Sequence, residues 1–259
     1  MRINHNIASM VTQGSLASIN REMQKSLEKL STGLRINRAS DDAAGRGVSE
    51  NLRTQVRGTA QASRNAQDGI AALNIAEGAG NEISTILQRM RELAVQSSND
   101  TLTSVERAYT NQEFEALTDE IERIANVTNY NGQKLLSNDS GRFGERTDND
   151  VLWIDANAVY GADSITVSIN TLTVGTTGLD ISGLTLTTQG AAVSSISALH
   201  QAIDSVNNLR SDIGAYVNRL EHAINNLNVS NTNQQSAESQ IRDVDFANET
   251  TRFTRNQIL

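Results

Sequence analysis

From Ile196 the chain places apolar residues at Leu199, Ile203, Val206, Ile213, Val217, Leu220, Ile224 and Leu227, a heptad spacing broken once at Arg210, where Leu209 stands beside it. As a helix this stripe is about 50 Å long at the usual rise per residue. No small globule covers a stripe of that length, so another long helix has to lie against it. Ile70, Leu73, Ala76, Ile83, Leu87, Met90 and Ala94 recur at three- and four-residue steps and supply a stripe of matching length. A third, Phe114, Leu117, Ile121 and Ile124, follows Thr103-Ser104-Val105-Glu106, which has the form of a capping box and marks a helix start. Composition agrees: there is no proline, which would break long helices, and aromatic residues, the usual anchors of rounded cores, make up only 3% of the chain.

Between residues 132 and 190 the texture changes to Thr, Ser, Val, Ile and Gly. Ser164-Ile165-Thr166-Val167-Ser168-Ile169 alternates polar and apolar residues as a half-buried strand does, and Leu184-Thr185-Leu186-Thr187 repeats the pattern. The fold class these features define is mainly α: a long antiparallel helical bundle, coiled-coil-like and rod-shaped, with a small β-hairpin region at one end. The chain ends differ again. Residues 1 to 30 carry Ile3, Ile7, Met10, Leu16, Ile19, Met23, Leu27 and Leu30, an amphipathic helix with no partner in the bundle. Beyond Leu227 the stripe fails at Asn231 and Gln234, then resumes weakly with Ile241, Val244, Phe246, Phe253, Ile258 and Leu259. The simplest pairing is terminus with terminus.

Little in the sequence is suited to chemistry. With no cysteine, disulfides and thiolate metal sites are excluded. His5, His200 and His222 stand far apart and form no His-Glu-x-x-His arrangement, so no metal, cofactor or catalytic site is expected. Gly45-Arg46-Gly47 lacks the context of a dinucleotide or phosphate loop. Ser40-Asp41-Asp42 before Ala43-Ala44 reads as a helix N-terminus and not as a catalytic carboxylate pair. The sequon Asn138-Asp139-Ser140 is of too common a kind to argue for a glycan. A formal net charge of −8 argues against a nucleic-acid partner, which needs a basic face. No segment approaches the length of a membrane span, and the start has no secretory signal core, so any route out of the cell is another one.

Seven stretches, in order, resemble the bacterial flagellins: Met1-Arg2-Ile3-Asn4-His5-Asn6; Leu30-Ser31-Thr32-Gly33-Leu34-Arg35-Ile36-Asn37-Arg38-Ala39; Asp41-Asp42-Ala43-Ala44-Gly45; Gln88-Arg89-Met90-Arg91-Glu92-Leu93-Ala94-Val95-Gln96; Asn129-Tyr130-Asn131-Gly132; Gly214-Ala215-Tyr216-Val217-Asn218-Arg219-Leu220-Glu221; and Ala237-Glu238-Ser239-Gln240-Ile241-Arg242-Asp243-Val244-Asp245. The resemblance implies a non-catalytic structural subunit of the flagellar filament, secreted without a signal peptide through the flagellar export apparatus with an export chaperone. It implies a helical homopolymer that meets hook-associated proteins at its ends. A hook-filament junction protein is the alternative, and the matches at 31 to 45 and 214 to 245 favour flagellin. The implied domains are 1–45, the inner-tube helix and its joint; 46–230, the bundle with its β elaboration at about 132–190; and 231–259, a partial C-terminal inner helix. Chains of the family continue past Asn256-Gln257-Ile258-Leu259 with further turns of amphipathic helix.

Under the resemblance, residues 31 to 58 become a joint between inner helix and outer bundle. Arg35, Asn37, Arg38, Asp41 and Asp42 are its candidate subunit contacts, because charge pairs across an interface fix register and reject wrong neighbours. The glycines of the stretch are expected to let the chain bend. Arg46 stands where the family carries an apolar residue, and Thr250-Thr251-Arg252 replaces a more acidic and apolar segment. Gln88 to Gln96 also resembles the flagellin segment bound by the Toll-like innate immune receptor. That implies receptor contacts at Arg89, Leu93 and Gln96, which share one helix face, and at Glu113 on the next helix.

Overall fold

A computed structural model describes residues 6–137, 143, 151–157 and 163–259; Ile3, His5 and the sequon at Asn138 lie outside the described residues. Its elements are helices α1 (Ile7–Thr32), α2 (Ala43–Ser97) and α3 (Ser104–Val127), strands β1 (Asn129–Tyr130), β2 (Gln133–Lys134), β3 (Val151–Trp153) and β4 (Ser164–Thr166), then α4 (Gln189–Arg242) and α5 (Phe246–Ile258). The chain forms two compact units, one of residues 1–60 with 228–259, the other of residues 61–227.

Each helix starts where a side chain can satisfy the free N–H groups of its first turn. Asn6 accepts from Ser9 N before α1, and Asp245 from Ala247 N and Asn248 N before α5. Thr103 and Glu106 close the expected capping box reciprocally at α3. The α1 helix ends on Gly33, in the left-handed conformation at φ 72°, whose N–H caps the Lys29 carbonyl.

In the unit of residues 61–227, α2 and α4 run antiparallel. Gln189, at the start of α4, donates to the Ser98 carbonyl just past the end of α2, while Arg210 faces Glu77 at 3.9 Å. The steps from Gln189 to Arg210 and from Ser98 back to Glu77 are equal. Leu73, Ala76, Ile83, Leu87, Met90 and Ala94 of α2, Phe114 and Ile121 of α3, and Leu199, Val206, Leu209, Ile213 and Leu220 of α4 make one buried core. At the break in the heptad it is Leu209 that enters this core. The Arg210 Nε is buried without a hydrogen-bond partner, while Nη2 faces Glu77.

The β region departs from expectation. Between Ser164 and Ile169 only Ser164–Thr166 is strand, paired antiparallel with β3, and Leu184 to Thr187 is not strand at all. The alternation is real, but it buries side chains against helices instead of building a ladder: Val167, Ile169, Leu172, Ile181 and Leu186 are all at most 1% exposed. Their backbone groups find other partners, as buried amides must. Leu186 N donates to Asn111 Oδ1 at 2.7 Å and Val174 N to Glu122 Oε2 at 2.8 Å, both acceptors lying on α3. The ribbon of β3 and β4 lies over Gly69 of α2, where a methyl group would come within 2.6 Å of Leu152 Cδ1. β1 and β2 form a hairpin through Asn131 and Gly132, both at positive φ, the geometry of a type I′ turn.

Candidate functional site

In the unit of residues 1–60 and 228–259, the two terminal helices pair. Ser26 of α1 donates to Glu249 Oε1 of α5 at 2.6 Å, and both residues are buried. Toward the helix ends apolar residues stay uncovered: Ile7, Met10 and Val11 are 64–66% exposed, and Phe246, Ile258 and Leu259 are 54%, 81% and 66% exposed. In the same unit the heptad failure at Asn231 has a cause. Its Nδ2 donates to the Val56 carbonyl and to Thr59 Oγ1 of α2, so a polar bond between helices replaces apolar packing.

The two connections, residues 33 to 42 and 243 to 245, meet each other. Leu34 and Asp243 form an antiparallel bridge, Arg35 N donates to the Arg242 carbonyl, and Val244 N donates to the Gly33 carbonyl. Arg35 Nε also donates to the Ile241 carbonyl at 3.0 Å. A cation is thereby placed on the unsatisfied carbonyls that end α4, where the helix dipole favours it. Its Nη2 lies 3.7 Å from Asp42.

Asp42 is the N-cap of α2, with Oδ1 accepting from Gly45 N at 2.8 Å, as the sequence indicated. Asp41 accepts from Asn37 N and Arg38 N, and those bonds, the Arg38 one foremost, hold its carboxyl below the usual carboxylate range. The Asn37 side chain donates to the Leu34 carbonyl, Arg38 pairs with Glu28 at 3.1 Å, and Arg46 donates to the Asn37 carbonyl. Arg46 therefore holds the turn, where an apolar residue could not. Of the four glycines between 31 and 58, Gly33 alone takes a positive φ; Gly45, Gly47 and Gly58 lie inside α2, so the expected bending reduces to one residue. Gly45 has a different reason to be small, since a methyl group there would stand 2.3 Å from Asp42 Oδ2.

The α2–α3 face brings two of the four remaining candidates together. Arg89 donates to Glu113 Oε1 at 2.9 Å and to Glu92 Oε2 at 3.1 Å, with Gln96 exposed nearby on α2. Leu93 is only 2% exposed, inside the core with Met90 and Ala94. Arg89 and Gln96 flank the stripe, whereas Leu93 is part of it. The exposed apolar side chain of that turn is Val95, at 53%. His200 stands 3.8 Å from Asp204 on the same helix and His222 is exposed. Among the described residues no three His, Asp or Glu side chains group as a metal site, and no helix is long and apolar enough to cross a membrane.

A helical bundle with paired terminal helices and uncovered apolar ends has the design of a self-associating structural protein. Two family models match the chain: the bacterial flagellin N-terminal helical region over residues 3–140 and the C-terminal helical region over residues 196–259. It is 44% identical to a flagellin of Halalkalibacterium halodurans, 43% identical to the flagellar filament 33 kDa core protein of Treponema phagedenis, and 42% identical to a flagellin of Bacillus subtilis, covering in each case 100% of this chain and 92% of the relative. The crystal structure of Bacillus cereus flagellin matches with a TM-score of 0.51 at 30% identity, over 63% of this chain and 88% of that one. The chain belongs to the flagellin family: it is a non-catalytic structural subunit that polymerises into the bacterial flagellar filament. A protein described as flagellar hook-associated, from Vibrio parahaemolyticus, matches with a TM-score of 0.61 at 19% identity, over 78% of this chain and 100% of that one, a likeness of fold alone. The hook-filament junction alternative is not favoured.

Proposed function

We propose that the terminal helices α1 and α5 lie in the inner tube of the filament and that assembly is driven by covering their apolar ends. The exposure of Ile7, Met10, Val11, Ile258 and Leu259 carries this reading. Isolated amphipathic helices gain most of their stability from a partner for the apolar face, and a helical polymer provides one on every subunit. Arg35, Asn37, Arg38, Asp41 and Asp42 then have a role in two stages. Their bonds within the subunit shape the joint, and the exposed guanidinium edges of Arg35 and Arg38, whose side chains are 46% and 71% exposed, meet neighbouring subunits. Replacing Met10 by Glu tests the driving force: filament yield should collapse while the helix content of the subunit is kept. Normal filaments from this variant would refute the proposal.

The subunit leaves the cell through the flagellar export apparatus with a chaperone covering the same apolar ends, joins hook-associated proteins at the filament ends, and is extracellular once assembled. Membership of the flagellin family supports this reading. The Arg89–Glu113 pair with Gln96 supports recognition of the subunit by a Toll-like receptor, Leu93 acting only by packing beneath them. Arg89→Ala should weaken receptor binding by at least ~1 kcal/mol, as loss of an interface arginine does. Unchanged binding in Arg89→Ala and Glu113→Ala would remove this face from the receptor contact.

A further inference from the structure

We propose that Asn131 is a site of spontaneous covalent modification, deamidating through a succinimide to aspartate and isoaspartate. Asn131-Gly132 is the single Asn-Gly pair in the sequence. Both residues are exposed, and a methyl group added at Gly132 would meet nothing within 4 Å, so no side chain shields the peptide bond between them. Other asparagine amides are engaged: Asn37, Asn65, Asn111, Asn126, Asn129 and Asn231 all donate hydrogen bonds. Among the described residues the Asn131 side chain and the Gly132 N–H have no hydrogen-bond partner. The hairpin that carries them has strands of only two residues each, and ribbons of that size open readily because few backbone bonds hold them.

In the opened turn the Gly132 nitrogen attacks Asn131 Cγ. The new C–N bond forms, the proton on that nitrogen passes to the departing group, and the Cγ–Nδ2 bond breaks with release of ammonia. Water then opens the ring at the side-chain carbonyl, giving aspartate, or at the main-chain carbonyl, giving isoaspartate. Either product adds one negative charge to a chain of formal charge −8. Isoaspartate also adds a methylene to the main chain, which a two-residue type I′ turn cannot accommodate. The neighbours that depend on the turn are Tyr130, packed on the core, and Leu135 and Leu136, both fully buried.

The test holds the folded full chain in mildly alkaline buffer at body temperature, digests samples over time, and follows the amide-to-acid mass change at every asparagine, with enzymatic methylation to count isoaspartate. Asn131 should convert an order of magnitude faster than any other asparagine, with isoaspartate the larger product, and hydroxylamine should cleave the ageing chain between Asn131 and Gly132. Asn131→Gln should abolish both signals in a chain that remains folded by circular dichroism. Conversion at Asn131 no faster than at the other asparagines, in a chain shown to be folded by circular dichroism, would overturn the proposal.

Discussion

The Ser26 hydroxyl donates to the Glu249 carboxylate at 2.6 Å, joining residues 223 positions apart in sequence and burying both between the two terminal helices. This bond fixes which face of α5 turns to α1, because a buried carboxylate with one good donor tolerates no other register. Ser26→Ala should loosen the pair by about 1–3 kcal/mol, since Glu249 would remain buried without its partner, while replacing both residues by apolar ones should come close to neutral. Amide exchange within α5 reads the difference. A single replacement as harmless as the double one would show that the bond orders nothing.

Truncating Leu220 to alanine should cost about 2–5 kcal/mol, because it is fully buried at the face where α4 meets α2. The single tryptophan, Trp153, lies on the ribbon over α2 and gives a fluorescence signal for unfolding of the same unit. A loss below the cost of an exposed substitution would mean that the stripe is not packed as described.

Two glycines of α2 should respond in opposite directions. Gly78 is exposed with open space around it, and Gly78→Ala should stabilise the helix by about 0.5–1 kcal/mol. At Gly45 the added methyl displaces the Asp42 carboxylate from its cap, and losing an N-cap costs about 0.5–2 kcal/mol, which offsets or exceeds the helix gain. Thermal melts of the two variants decide it, and equal stabilisation by both would refute the capping argument.

Much of this was legible beforehand because long apolar repeats leave few alternatives. The stripes of α2, α3 and α4, the Thr103–Glu106 box and the Asp42 cap follow from local sequence, and the partnership of the two termini follows from each lacking a partner in the bundle. What was not legible depends on distant partners. Nothing in Leu184 to Thr187 says that its amides will bond to Asn111 instead of a strand, and nothing in Asn231 names the Val56 carbonyl. Leu93 shares a face with Arg89 and Gln96 by its spacing, yet it is buried in the same stripe as Met90 and Ala94. The β1–β2 hairpin does have a local signal, because Asn-Gly is the preferred pair of a type I′ turn.

Acid should weaken the joint and the helix starts together. Asp245 is held below the usual carboxylate range by the Asn248 N–H, Glu106 by the Thr103 N–H, and Asp41 by the Arg38 N–H. A lowered pKa in the folded chain means stability that is complete above the unfolded value near 4 and disappears as pH falls through the folded value. Melting temperature should therefore be flat from neutral pH to about 5 and fall below about 4. Asp245→Asn should flatten the acid limb in α5, and an acid limb of unchanged steepness would assign the effect to other groups.

The central claim, that the apolar ends of α1 and α5 are covered only by neighbouring subunits, is tested most directly by amide hydrogen exchange over residues 7–32 and 246–258 in the monomer and in filaments of the full-length protein. The account predicts fast exchange at Met10, Val11 and Ile258 in the monomer and strong protection in the filament, with residues 70–94 protected in both. Equal protection of the terminal helices in the two states would contradict it.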